Sequence, residues 1–195
     1  KQAEVPGTGP MPDMPPIAEE PSYASSPAEV DDLPEDVVVL RQPLDHIYLV
    51  STSVMDLFLA LDGLDSVTLS GTQAEGWYLD EARAAMEAGR IAYAGKYSAP
   101  DYERILAAGC TLAIENTMVL HDPEVKEQLE KFGVPVLVER SSYESGPLAR
   151  MEWIKFIGLL LGRAEEAERV IVIMGSGAAV ARETVEHLVK QGEKV

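Results

Sequence analysis

Basic residues are scarce in this chain. Its 195 residues include 16 Lys and Arg against 33 Asp and Glu, a formal net charge of -17. Nucleic acids and anionic membranes are gripped through basic patches, so this balance argues against both and suits a cationic partner. Cysteine is nearly absent. A single Cys110 excludes an internal disulfide and a cysteine metal cluster. It opens the apolar run CTLAI and reads as a small buried residue, with no basic neighbour to activate it. No run approaches the roughly 18 apolar residues of a membrane span. Histidine is sparse and scattered: His46, His121 and His187 show no metal-ligating spacing, and no metal site is expected. There is no phosphate-binding loop and no nucleophile elbow. The acids of EEAE, Glu165 to Glu168, read as a solvated helix face. These absences argue against an enzyme, and no cofactor is expected.

What is present divides the chain. Residues 1–36 hold most of the prolines and many acids, with Lys1 as their only basic residue. Such a segment buries too little apolar surface to offset its ordering entropy. It reads as a disordered acidic tether, either a spacer or an ordinary flexible terminus. The chain opens on Lys rather than Met, which leads us to expect a start, and a removed targeting segment or anchor, upstream.

Residues 37–150 alternate short apolar runs with amphipathic stretches. VVVL from Val37 reads as an edge strand and IYLV from Ile47 as a buried one. A helix follows over VMDLFLALDGL, with Thr52 or Ser53 as its cap. Ser66–Gly71 is a strand, Tyr78–Ala88 a helix stopped by Gly89, and Ile91–Gly95 a short strand. Pro100 opens a helix to about Ala108, with Asp101 and Glu103 at its positive end. TLAIE and Val134–Glu139 read as buried strands. Between them lies a helix that Asp122 caps, Pro123 opens and Gly133 ends. Strands alternating with helices imply an α/β fold, with a mainly parallel sheet covered on both faces. Residues 151–168 read as one long connecting helix, and residues 169–195 as a short βαβ-like tail.

The order of these pieces resembles the substrate-binding proteins of ABC importers for metal chelates: ferric siderophores, haem and cobalamin. The resemblance runs from about residue 44 to 168. It rests on PLDHIYLVSTSVMDLFLALDGLDSVTLSGT, AGKYSAPDYERILAAGCTLAIENT, EVKEQLEKFGVPVLVERSSYE and EWIKFIGLLLGRAEEAE. It implies the Rossmann-like amino-terminal lobe of a two-lobed receptor, whose ligand lies against the loops that follow the strands. Carried onto this sequence, the ligand-binding candidates are Ser51, Thr52, Ser53, Thr72, Trp77, Tyr78, Lys96, Tyr97, Asn116, Thr117, Arg140, Ser141, Ser142, Tyr143 and Arg150. Trp77, Tyr78, Tyr97 and Tyr143 offer flat faces to a macrocycle or catechol, and Lys96, Arg140 and Arg150 suit an anionic chelate. A loop tyrosine is, however, more often a half-buried packing residue than a ligand contact. The resemblance also implies docking of Glu103 on the ABC permease, an extracytoplasmic home in the periplasm or as a surface lipoprotein, and weak affinity from one lobe alone.

The tail departs from that pattern. VIVIMGSGAAVARETVEHLVKQGEKV is similar to a segment of pyruvate:ferredoxin oxidoreductase. Gly175-Ser176-Gly177 gives a weak nucleotide-binding turn, since the third glycine of the fingerprint falls at Val180. A fusion, a truncated reading, a chimera and a native remnant stay open, as does the alternative of an oxidoreductase fragment.

Overall fold

The computed structural model describes residues 37–168. The expected tether and the βαβ-like tail, with its Gly175–Gly177 turn and His187, lie outside the described residues.

The first strand, β1 (Ile47–Leu49), is wholly buried. A single 3-10 turn (Thr52–Val54) leads into α1 (Met55–Ala60). Then come β2 (Val67–Ser70), α2 (Asp80–Glu87) and β3 (Ala92–Tyr93). A small antiparallel hairpin, β4 (Gly95–Lys96) and β5 (Ala99–Pro100), precedes α3 (Tyr102–Ala107). β6 (Leu112–Glu115), α4 (Pro123–Lys131) and β7 (Val136–Val138) follow. α5 (Pro147–Leu160) and α6 (Ala164–Glu168) close the described part.

The main sheet has five strands in the order β3-β2-β1-β6-β7. Each of its pairings is parallel. Alternation along each strand sorts the side chains onto two faces. Ile47, Leu49, Leu112 and Ile114 join α1, α2 and α5 in one core around Phe58 and Ile157. Tyr48, Val50, Leu69 and Ala113 join α3 and α4 in a second core around Ile105 and Leu129. The expected α/β fold, with helices on both faces, is what the chain forms. All five carboxyl ends therefore share one edge, where such folds place ligand sites.

Several details differ from expectation. Val37–Leu40 forms no strand, and Val38 is 63% exposed. The sheet is already bounded by β3 and β7, and the backbone here turns to α5, Leu44 N–H bonding Leu160 O. Neither Thr52 nor Ser53 caps α1. Pro100 lies in β5, so the α3 cap falls to Asp101, whose carboxylate accepts from Arg104 N–H at 3.0 Å. β7 is a half-buried edge strand, not a buried one. The long connecting helix starts at Pro147, four residues earlier than expected, and breaks at Gly162, whose φ of +68° leaves the helical region. Arg163 N–H then closes on Gly158 O at 2.7 Å, and α6 folds back so that Ala167 sits over Gly158.

Candidate functional site

Along the carboxyl edge the chain concentrates polar groups that are wholly out of water. Ser51, Ser70, Glu115, Glu139 and Ser141 are each at most 2% exposed. Four of them follow or end β1, β6 and β7, which are adjacent in the sheet.

Glu139 is the knot. Its Oε2 accepts from Ser51 Oγ at 2.8 Å and from Ser53 Oγ at 2.6 Å. Its Oε1 accepts from the Ser141 backbone N–H. Burial pushes the Glu139 carboxyl up, but the hydrogen bonds from Ser141, Ser53 and Ser51 together outweigh it and hold the group below its ordinary value. One ionised carboxylate thus ties the loop after β1 to the loop after β7, 88 residues apart in sequence.

The second loop is fastened elsewhere too. Arg150 Nη2 donates to Ser142 O at 3.0 Å, and Trp153 Nε1 donates to Glu144 at 3.0 Å. The Arg140 guanidinium lies 5.7 Å from the Tyr143 ring centroid. Tyr143 Oη lies 3.3 Å from Thr117 Oγ1, reaching across to the turn after β6. Asn116 caps that turn by accepting from Met118 N–H at 2.9 Å. Tyr143 itself is 66% exposed. The loops after β1, β6 and β7 thus form one rim, from which Ser53, Arg140 and Tyr143 face solvent.

The remaining candidates do not join it. Trp77 is 5% exposed and belongs to the first core, so it offers no face to a ligand. Its indole N–H donates to Ser70 Oγ at 3.3 Å, and Ser70 Oγ in turn donates to Thr72 O at 2.7 Å. Tyr97 is half-buried against the second core, on the opposite face of the sheet. The expected aromatic platform of Trp77, Tyr78, Tyr97 and Tyr143 is therefore split by the sheet. Tyr78 is fully exposed beyond β2, and Lys96 is exposed on the β4–β5 hairpin. That hairpin is pinned from below: fully buried Tyr48 donates its hydroxyl to Gly95 O at 2.8 Å. Ser51 and Ser141 are on the rim but buried, so they act through Glu139 rather than at its surface.

Glu115 stands apart. It ends β6 on the second-core side, opposite in direction to Glu139, and neither carboxyl oxygen has a hydrogen-bond partner. Burial pushes it up to about 8, so it is neutral in ordinary conditions. His121 is exposed. Among the described residues no group of three or more His, Cys, Asp or Glu side chains is arranged to hold a metal. Sequence reading missed Glu139 and Tyr48 as site residues. An acid closing an apolar run and followed by Arg-Ser-Ser was the one hint of Glu139.

No family model matches the chain. Solved structures do. A possible iron-binding (periplasmic solute-binding) protein from Staphylococcus epidermidis superposes with a TM-score of 0.50 at 14% identity, over 76% of this chain and 52% of that one. A periplasmic heme binding protein from Pseudomonas aeruginosa gives 0.49 at 19% identity, over 75% and 45%. The periplasmic heme binding protein HutB of Vibrio cholerae gives 0.49 at 17%, over 75% and 49%. The likeness is one of fold. This chain spans about half the length of these solute-binding proteins. A 30-residue stretch is 73% identical to part of a putative pyruvate-flavodoxin oxidoreductase from Synechocystis, 15% of this chain and 2% of that protein. The similarity to an oxidoreductase segment is of that short, partial kind and does not favour the oxidoreductase alternative.

Proposed function

We propose that this chain is the ligand-binding lobe of an ABC importer's substrate-binding component, and that its ligand is an iron chelate: haem or a ferric siderophore, with cobalamin as a further member of the class. The reading is supported first by the fold, shared with a solved protein described as iron-binding and periplasmic solute-binding. The observation that carries it is the rim. A loop held by Glu139, Arg150 and Trp153 presents Arg140 stacked on exposed Tyr143, a preformed aromatic and cationic surface. Ordering costs are met before the ligand arrives, which favours affinity. Glu115 and Glu139 point to opposite faces of the sheet, so they form no acid–base pair. The component works outside the cytoplasmic membrane and docks on its permease through exposed acids, Glu103 among them.

Titration with haem, a ferric siderophore and cobalamin, followed by intrinsic fluorescence and visible absorbance, tests the reading. Saturable binding of at least one chelate is expected, weakened about tenfold by Tyr143→Ala. Binding of NAD or thiamine diphosphate with no response to any chelate would overturn it.

A further inference from the structure

The rim described above says what kind of group the ligand brings to it. Ser53 is an exposed residue, yet its hydroxyl proton is committed inward, since Ser53 Oγ donates to Glu139 Oε2 at 2.6 Å. Ser51 Oγ lies 2.8 Å from the same carboxylate oxygen and 2.9 Å from Ser53 Oγ. Ser51 has one proton, and both of its neighbours are oxygens that accept it. Glu139 receives the Ser141 N–H as well. Three donors converging on one carboxyl leave it no role but acceptor, the role of the ionised form. A hydroxyl is ordinarily ambivalent, giving or taking as the partner requires. Here that freedom is removed.

We propose that Glu139 is a positioning and specificity-setting residue: by drawing the hydroxyl protons of Ser51 and Ser53 inward, it leaves Ser53 Oγ with only lone pairs toward the ligand, so this end of the rim takes a hydrogen-bond donor. The matching group is an ammonium, an amide N–H or a hydroxyl proton. A carboxylate or a deprotonated catecholate oxygen would meet lone pairs, with an anionic carboxylate behind them. The cationic side chains of the neighbouring loop are engaged elsewhere, Arg140 with the Tyr143 ring and Arg150 with Ser142 O, and Lys96 is on the β4–β5 hairpin. The inference rests on the proposed chelate-binding role and narrows it, within ferric chelates, to those that carry donors.

Two measurements test it. The first uses no ligand. Hydrogen exchange is followed in wild type and in Glu139→Gln, which keeps the size of the side chain and removes its charge. Faster exchange is expected in both 51–54 and 139–144, two segments that Glu139 ties together, with α4 unchanged. Unchanged protection in either segment would overturn the positioning role. The second compares two probes, a ferric trihydroxamate bearing a free ammonium and a trianionic ferric tris-catecholate. Wild type is expected to prefer the first by about tenfold, and Glu139→Gln or Ser53→Ala to bring the ratio within about threefold. A merely structural loss would weaken both probes together and leave the ratio intact, which would overturn the specificity claim. So would tighter binding of the tris-catecholate by wild type. If neither probe binds wild type while the exchange result holds, the specificity claim fails and the positioning role stands; the chelate reading itself falls only if haem and cobalamin also fail to bind in the titrations above.

Discussion

Two buried glutamates show how little the identity of a residue decides. Glu139 and Glu115 end adjacent strands, and both are at most 2% exposed. Glu139 is surrounded by donors and stays charged; Glu115 has none and stays neutral. Their effects on stability fall in different pH windows. The folded Glu115 carboxyl is raised from 4.5 to about 8. Its contribution is complete below the unfolded value and is lost as pH rises from about 4.5 through 8, a loss on the order of 5 kcal/mol. Glu139 is lowered, so its contribution is present above the ordinary glutamate range and is lost as pH falls through its folded value. Urea unfolding across pH 5 to 9 is expected to show declining stability in wild type. In Glu115→Gln the profile should be flat, with a higher midpoint at pH 8.5. An unchanged slope in the variant would mean that Glu115 is not the group responsible. Neither acid was legible from sequence, because TLAIE and VPVLVE end alike. Only the spacing of partners in space, Ser51 and Ser53 for one and nothing for the other, separates them.

Elements were easier to read than their margins. The runs that form β1, β2, β6 and β7 are legible as strands, because short apolar or β-branched stretches between turn signals leave few alternatives. The β4–β5 hairpin was not seen at all. It is only a few residues long, and its signal is a single Gly95, whose φ of +87° and 2.2 Å clearance from Ala99 O exclude any Cβ. Gly95→Ala is therefore expected to lower stability by about 2 kcal/mol or more in urea melts. Tyr48→Phe removes only the hydroxyl that holds Gly95 O from below. It should cost about 1 kcal/mol and speed exchange in 94–101 with little effect on α4. The break at Gly162 was missed for a similar reason. Helix-forming residues stand on both sides of it, and the turn depends on the close fit of Ala167 on Gly158 and on Arg163, which donates to Leu61 O at 2.6 Å.

At the scale of the molecule, fold class and the edge that carries the site follow from the order of the elements, whereas the makeup of the site does not. The misplacement of Trp77 shows why. Sequence places a residue after a strand, but the face it takes depends on a turn whose path the sequence does not state. Surface charge is better suited to reading from sequence, since it needs no packing. Glu103 is exposed in the first turn of α3, near the carboxyl edge. If it serves the permease, Glu103→Arg should abolish uptake in cells and leave the affinity for a chelate unchanged. A parallel fall in both would remove it from docking.

The sheet also ends in a particular manner. Among the described residues its margins, β3 and β7, are two and three residues long, and Pro135 stands beside the second. So short a border exposes few free amides on which a neighbouring molecule can lay down a strand. Concentrated samples held near neutral pH should accordingly stay dispersed, with flat light scattering and no seeding of fibrils, through the geometry of those borders as much as through mutual repulsion between like-charged molecules.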